Sequence, residues 1–118
     1  MELGPNQKKW IAALRSRKYK QTKGVLEDVY GNCCLGVACR IFLGEPDTPA
    51  EGIKAALWDG VTSYAPDKVV YELALNDGDG TDHTGRRHLS TMNDDGFSFV
   101  NIANELEKNP DHWFKESK

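Results

Sequence analysis

The segment from Cys34 to Gly44 constrains the fold more than any other part of this chain. Its apolar residues recur at helical spacing on almost every side, and Gly44 with Pro46 supplies a stop signal. These apolar residues are Leu35, Val37, Ala38, Ile41 and Phe42. A helix without a polar face is stable only when neighbouring elements surround it. We therefore predict a central helix here, with the rest of the chain packed around it.

Four other segments carry helix signals, over about residues 5–17, 48–59, 66–74 and 98–109. Pro5 suits the first turn of an amphipathic first helix. Thr48 and Glu51 have the spacing of a capping box, which predicts that the segment at 48–59 is a helix. The segment at 66–74 is predicted to be a helix, although the residues around Val69 also suit a strand. Ser98 can cap a last helix whose apolar residues follow the i, i+3, i+4, i+7 pattern.

The remaining segments indicate turns, short strands and loops. Short β-prone runs flank Gly31-Asn32, which predicts a hairpin with its turn at these two residues. Residues 76–88 contain three glycines and no large apolar residue, so we expect an exposed, mobile loop. Residues 89–92 suit a short strand. The predicted fold class is α+β, with four or five short helices packed on a small antiparallel sheet or hairpin.

The 118 residues fit one domain, which we place at 1–110, followed by a C-terminal tail at 111–118. No apolar run approaches the roughly 18 residues that a membrane span needs, and the first residues lack the pattern of a signal peptide. These features predict a cytoplasmic protein without a membrane partner. They leave the oligomeric state open.

Positive charge is concentrated at the start of the chain. Residues 1–24 hold seven Lys and Arg side chains and one Glu, although the whole chain has a net charge of −3. A solvated helix face explains such a run, and so does a contact for phosphate or for an acidic protein surface. The predicted contact residues are Arg15, Lys18, Lys20 and Gln21, with Arg86 and Arg87 in support.

The three cysteines, Cys33, Cys34 and Cys39, lie within seven positions, and two hypotheses account for them. A thiol at a helix N-terminus can have a lowered pKa, so Cys33 or Cys34 with His88 as base could form a hydrolase or transferase site. Free cysteine is also among the most buried residue types, which favours a core role for Cys34 and Cys39. The exposure of Cys33 decides between them.

Metal and cofactor signals are weak. The cysteines lack a C-x-x-C pair, so a zinc site is not predicted. The Asp77–Asp82 segment departs from a calcium loop, since Asp82 stands at the sixth position where that loop has glycine. Neither common glycine-rich nucleotide motif is present. We therefore expect no metal and no cofactor.

Three segments together resemble a family of small proteins of tailed phages and prophages. They are W-I-A-A-L-R-S-R-K-Y-K-Q at 10–21, C-C-L-G-V-A-C at 33–39 and M-N-D-D-G-F-S-F-V-N-I-A at 92–103. The resemblance implies a virus-encoded protein that works in a bacterial cytoplasm. It implies no catalytic residue.

Charge, motifs and resemblance together favour a binding protein over an enzyme. The expected partner is a bacterial host protein or an anionic small molecule such as a nucleotide, and the expected role is to counter host defence. The alternative is the cysteine hydrolase or transferase described above. Nucleic-acid binding through the first helix is a third hypothesis, which the overall acidity of the chain disfavours.

Overall fold

The computed structural model describes residues 1–118 and contains six helices and one two-stranded antiparallel sheet. The predicted α+β class, with short helices and a hairpin, is confirmed. The helices are α1 (Pro5–Arg15), α2 (Cys34–Phe42), α3 (Asp67–Leu73), α4 (Leu89–Asp94), α5 (Phe99–Lys108) and α6 (Pro110–Trp113), and the strands are β1 (Glu27–Asp28) and β2 (Gly31–Asn32).

Helix α2 lies at the centre, as its apolar pattern predicts. Its first six residues are all buried, and α1, α3 and α4 each pack against it. Gly36 lets the helix approach the preceding chain, because a Cβ at this position would overlap the carbonyl group of Leu26. Helix α5 completes the core by packing on α1 and α4. The longest helix, α1, has 11 residues, and none of the six has the length and apolar character that a membrane-spanning helix needs.

The hairpin forms, but its turn is at Val29-Tyr30 instead of the predicted Gly31-Asn32. The cause is Asp28, whose Oδ1 accepts hydrogen bonds from the backbone N–H groups of Tyr30 and Gly31, at 2.9 and 3.1 Å. Such a side-chain turn reverses the chain directly after the aspartate. Tyr30 therefore lies at the tip of the hairpin.

The helix predicted over 48–59 is absent, and this prediction was wrong. The segment folds back on itself through bridges that join Thr48 to Leu57 and Glu51 to Lys54. Gly52 adopts a left-handed conformation with φ of 57°, which ends any helix begun by the capping box. Asp59-Gly60 forms a second tight turn, with φ of 50° and 79°.

Residues 76–88 contain no helix or strand, and hydrogen bonds hold their shape. Asp77 accepts from the backbone and hydroxyl of Thr81, at 3.1 and 2.8 Å. Asp82 is buried, and its carboxylate accepts hydrogen bonds from Thr84 and Arg87. Burial opposes ionisation of Asp82, yet these bonds hold its pKa well below the usual range. The segment is thus a loop of defined conformation, exposed over most of its length as expected, with Gly80, Thr81 and Asp82 buried.

Residues 89–92 form part of helix α4 and not the predicted strand. Leu89 and Asn93 are both fully buried, and their spacing of four residues matches one helix face. The C-terminal residues 111–118 lie against the body of the protein, with Trp113 and Phe114 in the core. Phe114 makes an edge-to-face contact with Trp10 of α1.

Candidate binding site

The segments at 10–21, 33–39 and 92–103 meet at Cys34 and Asn93. The Trp10 indole N–H donates to the Cys34 carbonyl oxygen at 2.9 Å, which joins the first segment to the second. The Asn93 Oδ1 accepts from the Cys34 N–H at 3.1 Å and from the Gln21 Nε2 at 2.8 Å. Asn93 is fully buried and donates to the Thr22 carbonyl oxygen at 2.8 Å. Residues from all three segments therefore hold the fold together through buried hydrogen bonds.

The cysteines are all buried, so the core interpretation of Cys34 and Cys39 is confirmed. Cys33 is buried too, and its sulfur caps α2 by accepting from the Gly36 N–H at 3.4 Å. Burial raises the pKa of the Cys33 thiol to about 11, against the smaller lowering effect of that hydrogen bond. Burial likewise raises the pKa of Cys34 and Cys39. Thiolate, the reactive form, is thus disfavoured at all three positions.

His88 is engaged away from the thiols. Its Nδ1 lies 2.7 Å from the Thr81 hydroxyl, and the Cys34 thiol donates to the Leu89 carbonyl oxygen at 3.7 Å. A nucleophile and its base need mutual hydrogen-bond geometry and an accessible, ionisable thiol. Cys33 and Cys34 form no hydrogen bond with His88, and both thiols are buried. No cluster of three or more side chains has the arrangement of a metal site.

Two of the predicted contact residues make internal contacts. Arg15 forms an ion pair with Glu107, with nitrogen–oxygen distances of 3.1 Å, and donates to Asn104 at 2.8 Å. Gln21 donates to Asn93 and to the Phe97 carbonyl oxygen, both at 2.8 Å. Arg15 therefore joins the end of α1 to α5, whereas Gln21 joins the chain that follows α1 to α4 and to the turn before α5.

Arg86 and Arg87 differ from each other in their surroundings. Arg87 pairs with Asp82 at 3.1 Å and with Glu105 at 3.5 Å, and its guanidinium lies over the ring of Trp113. Arg86 is exposed and forms no ion pair. Arg15 and Arg87 therefore both bond to α5. Lys18 and Lys20 line a different groove.

That groove, of about 390 Å³, lies between the hairpin and residues 17–23, which we call the basic loop. Backbone hydrogen bonds of 2.8 Å hold the loop beside β2, from the Asn32 N–H to the Lys20 carbonyl and from the Thr22 N–H to the Asn32 carbonyl. Gly31 permits this approach, because a Cβ there would overlap the Lys20 carbonyl. We call this cavity the basic groove.

The basic loop carries four exposed cations, and none of them pairs with a carboxylate of the protein. They are Arg17, Lys18, Lys20 and Lys23. Arg17 has a φ of 64°, a left-handed conformation that ends α1 at Arg15 and turns the chain into the loop. A stretch of unpaired cations on a fixed loop can attract and position an anion.

Acidic groups line the basic groove too, but internal contacts occupy them. Glu27 is nearly buried and pairs with Arg40 through two hydrogen bonds, of 2.8 and 2.6 Å. Asn32 also donates to Glu27, at 2.7 Å. Asp28 serves the hairpin turn and accepts from the Thr22 hydroxyl at 2.9 Å. The two lysines are therefore the cations of this groove that remain free.

The sequence prediction did not include Tyr30, Asn32 and Arg40, which also line the basic groove. Tyr30 could have been found from Asp28, because an aspartate before a glycine-containing turn is a known turn former. Arg40 gave no such signal. Its pairing with Glu27 depends on the position of α2 relative to the hairpin.

Comparison with known protein families settles the relationship of the chain. A family model described as a domain of unknown function (DUF8296) matches residues 5–110. The chain belongs to this family. The match includes α1 to α5 and the whole basic groove, and it ends at the first residue of α6. No curated protein and no solved structure matches the chain.

Proposed function

We propose that this DUF8296 protein is a binding protein whose basic loop recognises an anionic partner. The observation that carries the proposal is the set of four exposed, unpaired cations on a loop that hydrogen bonds join to β2 on one side and to Asn93 of α4 on the other. A cation that already forms an ion pair within the protein binds an anionic ligand less well. The four cations of the basic loop form no such pair, so their full charge is available to a ligand. The buried thiols support no competing covalent chemistry.

The partner in this proposal is a bacterial host protein with an acidic surface or an anionic small molecule such as a nucleotide. The resemblance to small phage proteins supports a role in the bacterial cytoplasm, where the protein would counter host defence. Its net charge of −3 supports local recognition by the loop over general attraction to polyanions.

The test is recovery of partners from a bacterial lysate with the immobilised protein and with a Lys18→Glu/Lys20→Glu variant, followed by native mass spectrometry. We expect the variant to lose a specifically bound species, with affinity reduced at least about tenfold, because two attractive charges become repulsive. A matched control is Lys54→Glu/Lys68→Glu, which changes the net charge equally at exposed positions outside the groove.

Binding that survives the loop variant, or falls equally in the control variant, would contradict a specific role for the basic loop. Added salt gives a second criterion. Affinity for an anionic partner should fall as ionic strength rises, because salt screens exposed charges.

A further inference from the structure

The basic groove combines free cations with an exposed aromatic ring. Tyr30, at the tip of the hairpin, has 77% of its surface exposed although it lines the groove together with Lys18 and Lys20. The hydrogen bond from its backbone N–H to Asp28 fixes the position of the residue. An aromatic ring held at a turn but left unpacked adds little to the stability of the core.

We propose that the basic groove binds a ligand that joins a phosphate group to a nucleobase. Lys18 and Lys20 contact the phosphate, and the Tyr30 ring stacks on the base. This inference rests on the proposed function and deepens it, because it names the chemistry of the anion that the basic loop recognises.

The phosphate assignment follows from the arrangement of the two lysines. Tyr19, between them, packs against the core, whereas Lys18 and Lys20 are exposed and both line the groove. The chain bends at Tyr19, and the two lysines on either side of this bend face the same groove. Two flexible ammonium groups on one groove can reach a single phosphate or two neighbouring ones.

Nearby carboxylates reduce this attraction without cancelling it. The groove is lined by three cations, Lys18, Lys20 and Arg40, and by two carboxylates, Glu27 and Asp28. Glu27 pairs with Arg40 at 2.6 Å, and Arg40 also pairs with Glu45, which lies outside the groove, at 2.8 Å. Asp28 directs its oxygens to the Tyr30, Gly31 and Thr22 donors of the turn. The residues that line the groove therefore carry a net charge of +1, and the ammonium groups of Lys18 and Lys20 have no carboxylate partner.

The base assignment follows from size and from the ring. A volume of about 390 Å³ lies within the range of small-molecule sites, which begins at about 300 Å³. Every nucleobase offers a π-face, and stacking on an exposed aromatic residue is therefore tolerant of base identity. An acidic peptide would use the lysines but would gain such a contact only through an aromatic side chain of its own.

Two sources share this chemistry, free nucleotides and single-stranded nucleic acid. Binding of 5′-AMP, 5′-GMP and a fluorescent single-stranded oligothymidylate to the whole protein, measured by calorimetry and anisotropy, separates them. Inorganic pyrophosphate tests phosphate without a base. A preference for the oligonucleotide assigns the groove to a strand, and a preference for the mononucleotides assigns it to a free ligand.

We expect Tyr30→Ala to weaken binding of the preferred probe about tenfold, and Tyr30→Phe, which keeps the π-face, to leave it nearly unchanged. Lys18→Glu/Lys20→Glu should weaken it further. Tyr71→Ala is the control, because this tyrosine is also exposed but does not line the groove. Tyr30 and Tyr71 are both exposed, so these substitutions should leave the fold intact, which circular dichroism verifies.

Failure of this inference is distinguishable from failure of the proposed function. If pyrophosphate binds as tightly as the nucleotides, or Tyr30→Ala has no effect, base recognition is wrong while anion binding stands. If no probe binds but the lysate partner is lost in the lysine variant, the nucleotide inference is wrong and the basic loop still serves a partner. If Lys18→Glu/Lys20→Glu changes neither the binding of the probes nor the recovery of a partner from the lysate, both proposals fail.

Discussion

The Cys33 side chain is held by a hydrogen bond to the backbone, with its sulfur accepting from the Gly36 N–H at the first turn of α2. Its pKa of about 11 leaves roughly one thiol in a thousand ionised at pH 8, compared with about a quarter of free cysteine. We therefore expect iodoacetamide to modify Cys33 at least about 200-fold more slowly in the folded protein than in concentrated urea.

Labelling measured by mass spectrometry across pH checks this expectation. The rate for the folded protein should rise as the pH approaches the raised pKa, because thiolate is the reacting form. Cys34 and Cys39, with no exposed surface, should be slower still. Rapid modification of any of the three at neutral pH would instead support the cysteine hydrolase hypothesis.

Helix α2 touches the hairpin so closely that Gly36 has no room for a side chain. An alanine normally stabilises a helix by about 1 kcal/mol relative to glycine. Here its methyl group would overlap the backbone carbonyl of Leu26, which cannot move without displacing the strand that follows. We expect Gly36→Ala to lower the free energy of unfolding by about 3 kcal/mol, measured by urea denaturation.

Gly24→Ala is the matched control for this substitution. Gly24 has a φ of 80°, and a Cβ added there would meet no atom within 4 Å, so alanine at this position causes only backbone strain. A loss of about 1 kcal/mol is expected. A Gly36→Ala protein as stable as the natural one, or more stable, would mean that the two elements are not in close contact.

The elements whose patterns are local were predictable from the sequence. α2 and α5 each bury one run of apolar residues at helical spacing, and Cys33 and Ser98 cap them where the pattern begins. The structure of the segment at 48–59 was not predictable in this way, because a capping box indicates only where a helix could begin. The left-handed Gly52 shows that the chain turns instead, and glycine permits either outcome.

The candidate site was predictable only in part. The charge of the basic loop is visible in the sequence, whereas its surroundings depend on contacts between distant residues. Arg15 reaches Glu107 across 92 positions, and Gln21 reaches Asn93 across 72. No local pattern specifies such pairs. They determine which cations are used internally and which stay free.

The whole molecule is closed by contacts between the two ends of the chain. Gln7 of α1 is fully buried, and its amide donates to the carbonyl oxygens of Leu73 and Glu116, at 2.9 and 2.7 Å. Its Oε1 accepts from the N–H groups of Gly4 and Lys118. The Lys118 carbonyl oxygen also accepts from the first N–H groups of α1. The C-terminal strap, residues 115–118, thus satisfies groups that α1 cannot satisfy by itself.

Deletion of residues 116–118 should lower the free energy of unfolding by about 2 kcal/mol, because it removes hydrogen-bond partners of Gln7 and of the α1 N-terminus. Glu116→Ala is the control, since it keeps the carbonyl that accepts from Gln7. Urea denaturation should show little change for this variant. The deletion leaves Trp113 and Phe114 in place, so the core itself is retained.

Coupling between Gln7 and the strap gives a sharper criterion than either change alone. Gln7→Ala should destabilise the full-length chain more than the shortened one, because part of its effect is the loss of bonds that the deletion has already removed. Equal effects in both backgrounds would mean that the strap acts independently of Gln7. Such a result would place the stabilising contact of the strap elsewhere, at the Asn6 and Gln7 backbone N–H groups that bond to Lys118.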